Sequence, residues 1–170
     1  MKQIAIFASM LMLVIACGSG SGKSEEKVVS NDIEVYKASQ NEARPIVELY
    51  FRVTEALVAS DINQVNEVVE EYNSLLSSPE FANYKEVKAL VGQFKTARRL
   101  EDKRVVYSDL THEVYQLVKN SGLPKGELFL MHCPMAFDNK GASWLSYRKD
   151  VLNPYFGEKM LKCGSIIENL

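Results

Sequence analysis

Apolar residues recur at spacings of three and four over most of the chain between Pro45 and Asn120. This spacing places the apolar side chains on one face of an α-helix, so each run predicts an amphipathic helix. We expect Ser60 or Asp61 to cap the second helix, and Ser77-Ser78-Pro79 and Gly92 to separate the later ones. The apolar positions are Ile46, Leu49, Tyr50, Val53, Ala56, Leu57, Ile62, Val65, Val68, Val69, Tyr72, Leu75, Leu76, Phe81, Tyr84, Val87, Leu90, Val91, Val106, Leu110, Val114 and Leu117.

Three to four amphipathic helices joined by short loops predict an up-and-down helical bundle. The sequence Ser121-Gly122-Leu123-Pro124 marks the end of the last helix, because Gly terminates helices and Pro prevents their continuation. After Gly126 the pattern changes, and short apolar runs at 127–131 and 165–170 predict two paired strands. We therefore expect a mainly α protein with a small irregular or β C-terminal appendage packed on the bundle.

The N-terminus resembles the signal sequence of a bacterial lipoprotein. Lys2 precedes an apolar run at 4–16, which is too short for a permanent membrane helix and has the length of a signal-peptide core. The run ends in Ala16-Cys17-Gly18, a pattern typical of cleavage before a cysteine that becomes lipidated. We expect a signal peptide at 1–16, lipidation of Cys17, a flexible tether at 17–32, the bundle at 33–123 and the appendage at 124–170.

This leader predicts a lipid-anchored protein of the cell envelope that faces the periplasm, with the outer membrane as the expected site. Disulfide bonds persist in that compartment. The net charge is −2, and acidic and basic residues are interspersed along the chain. A nucleic-acid surface would need a basic stripe, so we expect the membrane, and no nucleic acid, as a partner.

Soft metal ligands are concentrated in the C-terminal appendage. The candidates are His132, Cys133, Met135, Met160 and Cys163. Thiolate and thioether ligands select Cu(I), and imidazole also binds copper. Cys133 and Cys163 are the two cysteines outside the leader, so a metal site here would collect their sulfurs with one or both thioethers, and with His132 in support. Such a site would bind or relay the ion and would not hydrolyse a substrate.

A disulfide between Cys133 and Cys163 explains the same residues in another way. It would close a loop of about 31 residues and stabilise the fold by about 3–4 kcal/mol through the lost entropy of the unfolded chain. The oxidising compartment favours this alternative. It would leave His132, Met135 and Met160 as an imidazole–thioether site, so the two alternatives are not fully exclusive.

The sequence contains none of the common catalytic patterns. It lacks Cys-x-x-Cys, His-Glu-x-x-His, Gly-x-Ser-x-Gly and a phosphate-binding glycine loop. Cys133 and His132 are adjacent, and neighbouring side chains rarely turn toward each other as a nucleophile and its base. We therefore expect a binding protein and no enzyme. Trp144 is expected to anchor the packing, and beside Cu(I) its indole would also shield the site.

Several motifs of the appendage resemble a family of unknown function from Gram-negative envelopes. That family includes short lipoproteins and C-terminal extensions of heavy-metal efflux adaptors, so the resemblance implies an envelope protein associated with copper efflux and an efflux adaptor as a partner. Cys133-Pro134-Met135 is also similar to the core of a small heavy-metal-binding module, although Ala136 stands where that module has His. The matching motifs are Cys133-Pro134-Met135-Ala136, Gly141-Ala142-Ser143-Trp144-Leu145-Ser146, Asn153-Pro154-Tyr155-Phe156-Gly157 and Met160-Leu161-Lys162-Cys163-Gly164.

Overall fold

Four helices form the first part of the fold. The computed structural model describes residues 43–120, 126 and 128–170. Each helix packs against its neighbour in sequence, and the first also packs against the fourth, which closes the up-and-down bundle. The predicted fold class, mainly α with a β appendage, is confirmed. The helices are α1 (Arg44–Val58), α2 (Ile62–Leu75), α3 (Lys85–Thr96) and α4 (Leu100–Asn120).

The helix boundaries follow local sequence signals with one exception. The carboxylate of Asp61 caps α2 by accepting hydrogen bonds from the backbone N–H groups of Asn63 and Gln64 at 3.0 and 3.1 Å. The predicted break at Gly92 is wrong, because α3 continues across this residue to Thr96. A glycine inside a helix costs about 1 kcal/mol, and the buried side chains on either side of Gly92, those of Val91 and Phe94, offset this cost.

The second part of the fold is a three-stranded antiparallel sheet. Its strands are β1 (Phe129–Cys133), β2 (Ala142–Ser146) and β3 (Ser165–Asn169), and β1 lies between the other two. The predicted pairing of the last strand with the first is confirmed. The middle strand in sequence, β2, was not predicted, since its apolar residues do not alternate cleanly with polar ones.

A buried hydroxyl network attaches the sheet to the bundle. The hydroxyl of Tyr107 donates to that of Tyr50 at 2.7 Å, and the backbone N–H of Leu145 in β2 donates to the same Tyr50 oxygen at 3.0 Å. Thr54 and Thr111 complete the network at 2.7 and 2.8 Å. Burial raises the pKa of Tyr50. The network therefore stays protonated at neutral pH and fixes the position of β2 on α1 and α4.

Several predictions fall on parts of the chain that the structure does not describe. The signal peptide at 1–16, Cys17, the tether at 17–32 and the helix stop at 121–124 lie outside the described residues. None of the helices in the described part combines the length and the apolar character that a membrane span needs.

Candidate functional site

The two cysteine thiols of the appendage meet at one end of the sheet. Cys133 is the last residue of the central strand and is fully buried, whereas Cys163 lies in the segment before β3 and is partly exposed. Ser165, two residues after Cys163, pairs with His132, the residue before Cys133, so the two thiols lie close together. The neighbouring Cys133 thiol, together with burial, raises the pKa of Cys163. The structure therefore brings together the two sulfurs that the sequence singled out, and both are free thiols.

The backbone around Cys163 is held by short contacts on two sides. The N–H of Cys163 donates to the carbonyl oxygen of Met160 at 3.0 Å. The backbone amide of Met135 lies near the thiol on the other side, where it offsets part of the rise in the pKa of Cys163. Gly164 has a φ of 137° and lies against the indole of Trp144, where a β-carbon would come within 2.7 Å of the ring. Only glycine fits this position, and Trp144 is thereby packed directly beside the residue that follows Cys163.

Asn153 organises the loop that leads to Cys163. Its side chain is fully buried, and its Nδ2 donates to the carbonyl oxygen of Cys163 at 2.7 Å. Its Oδ1 accepts from the backbone N–H groups of Tyr155 and Phe156 at 2.8 and 3.2 Å. Its own N–H donates to the carbonyl oxygen of Leu161 at 2.9 Å. One amide side chain therefore holds both ends of the loop.

Arg104 of α4 connects this loop to the bundle. Its Nε donates to the carbonyl oxygen of Pro154 at 2.9 Å. Its terminal nitrogen donates to the carbonyl oxygen of Leu57 at 3.3 Å and to Oγ of Ser60 at 3.0 Å. Leu57 lies in the last turn of α1, where carbonyl groups lack helical partners and a positive charge is favourable. The end of α1 and the loop are thus held by the same guanidinium group.

A left-handed turn follows the Cys133-Pro134-Met135 segment. Three successive non-glycine residues, Phe137, Asp138 and Asn139, have φ values of 51°, 56° and 64°. This conformation costs an L-residue about 1–2 kcal/mol. The hydrogen bond from the Gly141 N–H to the Ala136 carbonyl oxygen, at 3.0 Å, closes the turn, and the Phe137 ring packs edge-on against Tyr155. The strained turn thus lies next to the loop that carries Cys163.

His132 lies on the other side of β1 from the thiol pair. Successive residues of a strand point to opposite faces of the sheet, so His132 and Cys133 diverge. The Nδ1 atom of His132 is 3.0 Å from Oγ of Ser143, its partner on β2. Its ring covers Gly141, where a β-carbon would lie 2.7–2.8 Å from the imidazole. The structure therefore does not bring His132 to the two sulfurs.

The two methionines differ in exposure. Met135 is 47% exposed, although its backbone amide lies near Cys163. Met160 ends a short 3-10 helix (Gly157–Met160) and is partly exposed. Among the residues that the structure describes, no three His, Cys, Asp or Glu side chains group closely enough to hold a metal ion. A metal site here would therefore consist of the two thiols and one or both thioethers.

The sequence did not indicate the residues that position the thiol pair. Asn153 stood out only as the first residue of the motif Asn153-Pro154-Tyr155-Phe156-Gly157. The position of Arg104 could have indicated its burial, because it lies three residues before the buried Tyr107 and therefore on the apolar face of α4. Lys103 is a second buried cation on α4, and its Nζ donates to the carbonyl oxygen of Phe94 in the last turn of α3 at 2.8 Å. Both cations stabilise helix C-termini.

The candidate site therefore contains two neighbouring sulfurs of unequal exposure. Buried polar side chains hold the backbone around them in place. Comparison with protein-family models, with curated proteins and with solved structures found no match to this chain.

Proposed function

We propose that this chain is an envelope lipoprotein that binds a soft metal ion, Cu(I), through Cys133 and Cys163. The proximity of the two thiols, which follows from the pairing of β3 with β1 beside Cys133, is the observation that carries the proposal. Thiolates are preferred ligands of Cu(I), and the two sulfurs are already adjacent in the folded chain. Binding would therefore require loss of the thiol protons and little movement of the backbone.

Met135 is the best candidate for a further ligand. It lies two residues after Cys133, its backbone amide lies near Cys163, and the residue is 47% exposed. A flexible, exposed thioether can approach the pair without disturbing the core. Met160 is a second thioether in the same segment as Cys163. His132 belongs to the ligand set only if the cysteines form a disulfide and leave imidazole and thioether groups for the ion.

The biological role that fits this site is buffering of the ion or its delivery to a heavy-metal efflux adaptor. The lipoprotein-like leader that ends at Cys17 and the resemblance of the appendage motifs to envelope proteins of copper efflux support this role. A site in which one sulfur is buried and the other partly exposed suits capture and transfer. No step of such a role requires catalysis by the chain itself.

Titration with Cu(I) in the presence of a competing chelator tests the proposal. The protein is reduced first, and Cys17 is replaced by Ser so that its thiol does not contribute. We expect Cys133→Ser and Cys163→Ser each to weaken binding by more than about 100-fold, because loss of even an outer-shell partner costs about 10–100-fold in metal affinity. His132→Ala is the matched control and should leave affinity unchanged. Equal affinity in all variants would contradict the proposal.

A second candidate function is a disulfide-stapled interaction module without a metal site. The same proximity of the two thiols favours it, because two cysteines that lie side by side in the fold can form a disulfide without a large rearrangement of the backbone. Counting free thiols in protein isolated from the envelope under a thiol-blocking reagent separates the two. A complete disulfide, together with no Cu(I) affinity after reduction, would support the interaction module.

A further inference from the structure

The two thiols of the pair differ sharply in their access to solvent. Cys133 is completely buried at the end of the central strand and belongs to the hydrophobic core. Cys163 is partly exposed, in the segment between the 3-10 helix and β3. A reagent that approaches from solvent therefore reaches Cys163 first, and the buried Cys133 lies next to it.

We propose that the pair is a thiol–disulfide switch in which Cys163 exchanges with an external disulfide and Cys133 resolves the product. This inference concerns regulation of the site and rests on the proposed function for its biological meaning. The reduced pair offers two thiolates to a soft ion, whereas the disulfide offers none. Oxidation of the pair would thereby close the site to metal, and reduction would open it again.

The exchange proceeds in two balanced steps. The Cys163 thiolate attacks an external disulfide RSSR, which forms a mixed disulfide Cys163–S–S–R and releases one RS⁻. The Cys133 thiolate then attacks the Cys163 sulfur, which forms the internal disulfide and releases the second RS⁻. The protein loses two thiol protons and two electrons, and the external disulfide takes up both electrons and becomes two thiols.

The fixed backbone around Cys163 favours the second step. Asn153 holds the Cys163 carbonyl oxygen with a hydrogen bond of 2.7 Å. The sheet holds the other side, since Ser165 pairs with His132 next to Cys133. A mixed disulfide on Cys163 therefore remains beside the resolving thiol, and proximity of this kind accelerates an intramolecular step. The mixed disulfide should be short-lived in the native chain.

Replacement of each cysteine in turn tests the order of the two steps. The full chain carrying Cys17→Ser is incubated with glutathione disulfide, and intact mass is followed with time. With Cys133→Ala we expect a stable glutathione adduct on Cys163. With Cys163→Ala we expect adduct formation to slow by more than about tenfold, because a fully buried thiol reacts only when the fold opens locally. The parent chain should lose two protons and retain no adduct.

Three outcomes would overturn the switch: no exchange at all, equal adduct formation on the two single variants, or a stable adduct on the parent chain. A second measurement does not depend on any variant. The reduced parent chain is treated briefly with iodoacetamide and digested, and we expect the label on Cys163 well before it appears on Cys133. Label first on Cys133 would also overturn the proposed order.

A further arm identifies the source of the oxidising disulfide. An oxidised thiol–disulfide oxidoreductase replaces glutathione disulfide, and the faster of the two reagents indicates whether a protein or a small molecule sets the state of the pair. Preloading with Cu(I) completes the design, because a bound ion should block exchange. Exchange that Cu(I) does not block would refute the metal proposal and leave the switch intact. Cu(I) binding by a protein that shows no exchange would refute the switch and leave the metal proposal intact.

Discussion

The side-chain amide of Asn153 donates a hydrogen bond of 2.7 Å to the carbonyl oxygen of Cys163. This contact crosses the loop that contains the 3-10 helix and joins its beginning to the segment that carries the exposed thiol. Because Asn153 is fully buried, water cannot replace the bond without opening the loop. The position of Cys163 relative to Cys133 therefore depends on a residue that carries no metal-binding or redox chemistry of its own.

Replacement of Asn153 by Ala should destabilise the protein by about 3 kcal/mol, since each buried polar group left without a partner costs about 1–3 kcal/mol. Urea unfolding of the reduced chain measures this free energy. Asn66→Ala on the exposed face of α2 is the control and should change stability by no more than about 0.5 kcal/mol. Similar losses in the two variants would contradict the role assigned to Asn153.

Arg104→Lys should destabilise the protein by about 2 kcal/mol although the charge is kept. A lysine ammonium cannot reach the Pro154 carbonyl, the Leu57 carbonyl and the Ser60 hydroxyl together, and hydrogen bonds from charged groups contribute about 1.5–3 kcal/mol. Thermal unfolding monitored by circular dichroism is a suitable measurement. Arg98→Lys, at an exposed position, should unfold like the parent chain.

Asp138→Gly should stabilise the protein by about 0.5–1 kcal/mol. An L-residue in the left-handed conformation costs about 1–2 kcal/mol of stability, and glycine adopts the same conformation without this cost. The greater freedom of glycine in the unfolded chain offsets part of the gain. Asp109→Gly provides a control of opposite sign, because this exposed residue lies inside α4 and glycine there should cost about 1 kcal/mol. Chemical denaturation compares the two. A destabilised Asp138→Gly variant would show that position 138 is not strained.

Glu168 of β3 should make stability depend on pH. Lys119 and Tyr115 hydrogen-bond to its carboxylate and lower its pKa, so its contribution is present at neutral pH and disappears as the pH falls through the folded-state pKa. Glu168→Gln should therefore cost up to about 1 kcal/mol at pH 7, a value limited by partial exposure, and nothing at an acidic pH below its lowered folded-state pKa. Unfolding at both pH values measures this. Glu158→Gln, exposed on the 3-10 helix, should show no such difference.

The bundle was predictable because its signals are local. Apolar spacing and the Asp61 cap are properties of a few consecutive residues, and they indicated the helices well. The helix break predicted at Gly92 was wrong because the local cost of a glycine in a helix is outweighed by the burial of apolar side chains of the same helix in the core. The missed strand β2 shows the same limit, since Leu145 is buried by the bundle and its N–H binds Tyr50 of α1. Burial on both faces removes the alternation by which a strand is recognised.

The sequence was enough to predict the two cysteines of the candidate site, but not the residues that position them. The unusual residue types drew attention to Cys133 and Cys163 without any knowledge of the fold. Since β1 extends to Cys133 and successive residues of a strand point to opposite faces of the sheet, the His132 side chain points away from that sulfur. Asn153 and Arg104 act on backbone atoms contributed by other segments. Such contacts leave no pattern in the residues around them, so the structure was needed to find them.

The central position of β1 has a consequence for the synthesis of the protein. Both neighbours of β1 follow it in sequence, and the last of them, β3, also follows Cys163. Cys133 is therefore made before either partner strand and before Cys163, and its burial has to wait for the C-terminal segment. Until β3 pairs with β1, the Cys133 thiol lacks the cover that it has in the folded protein.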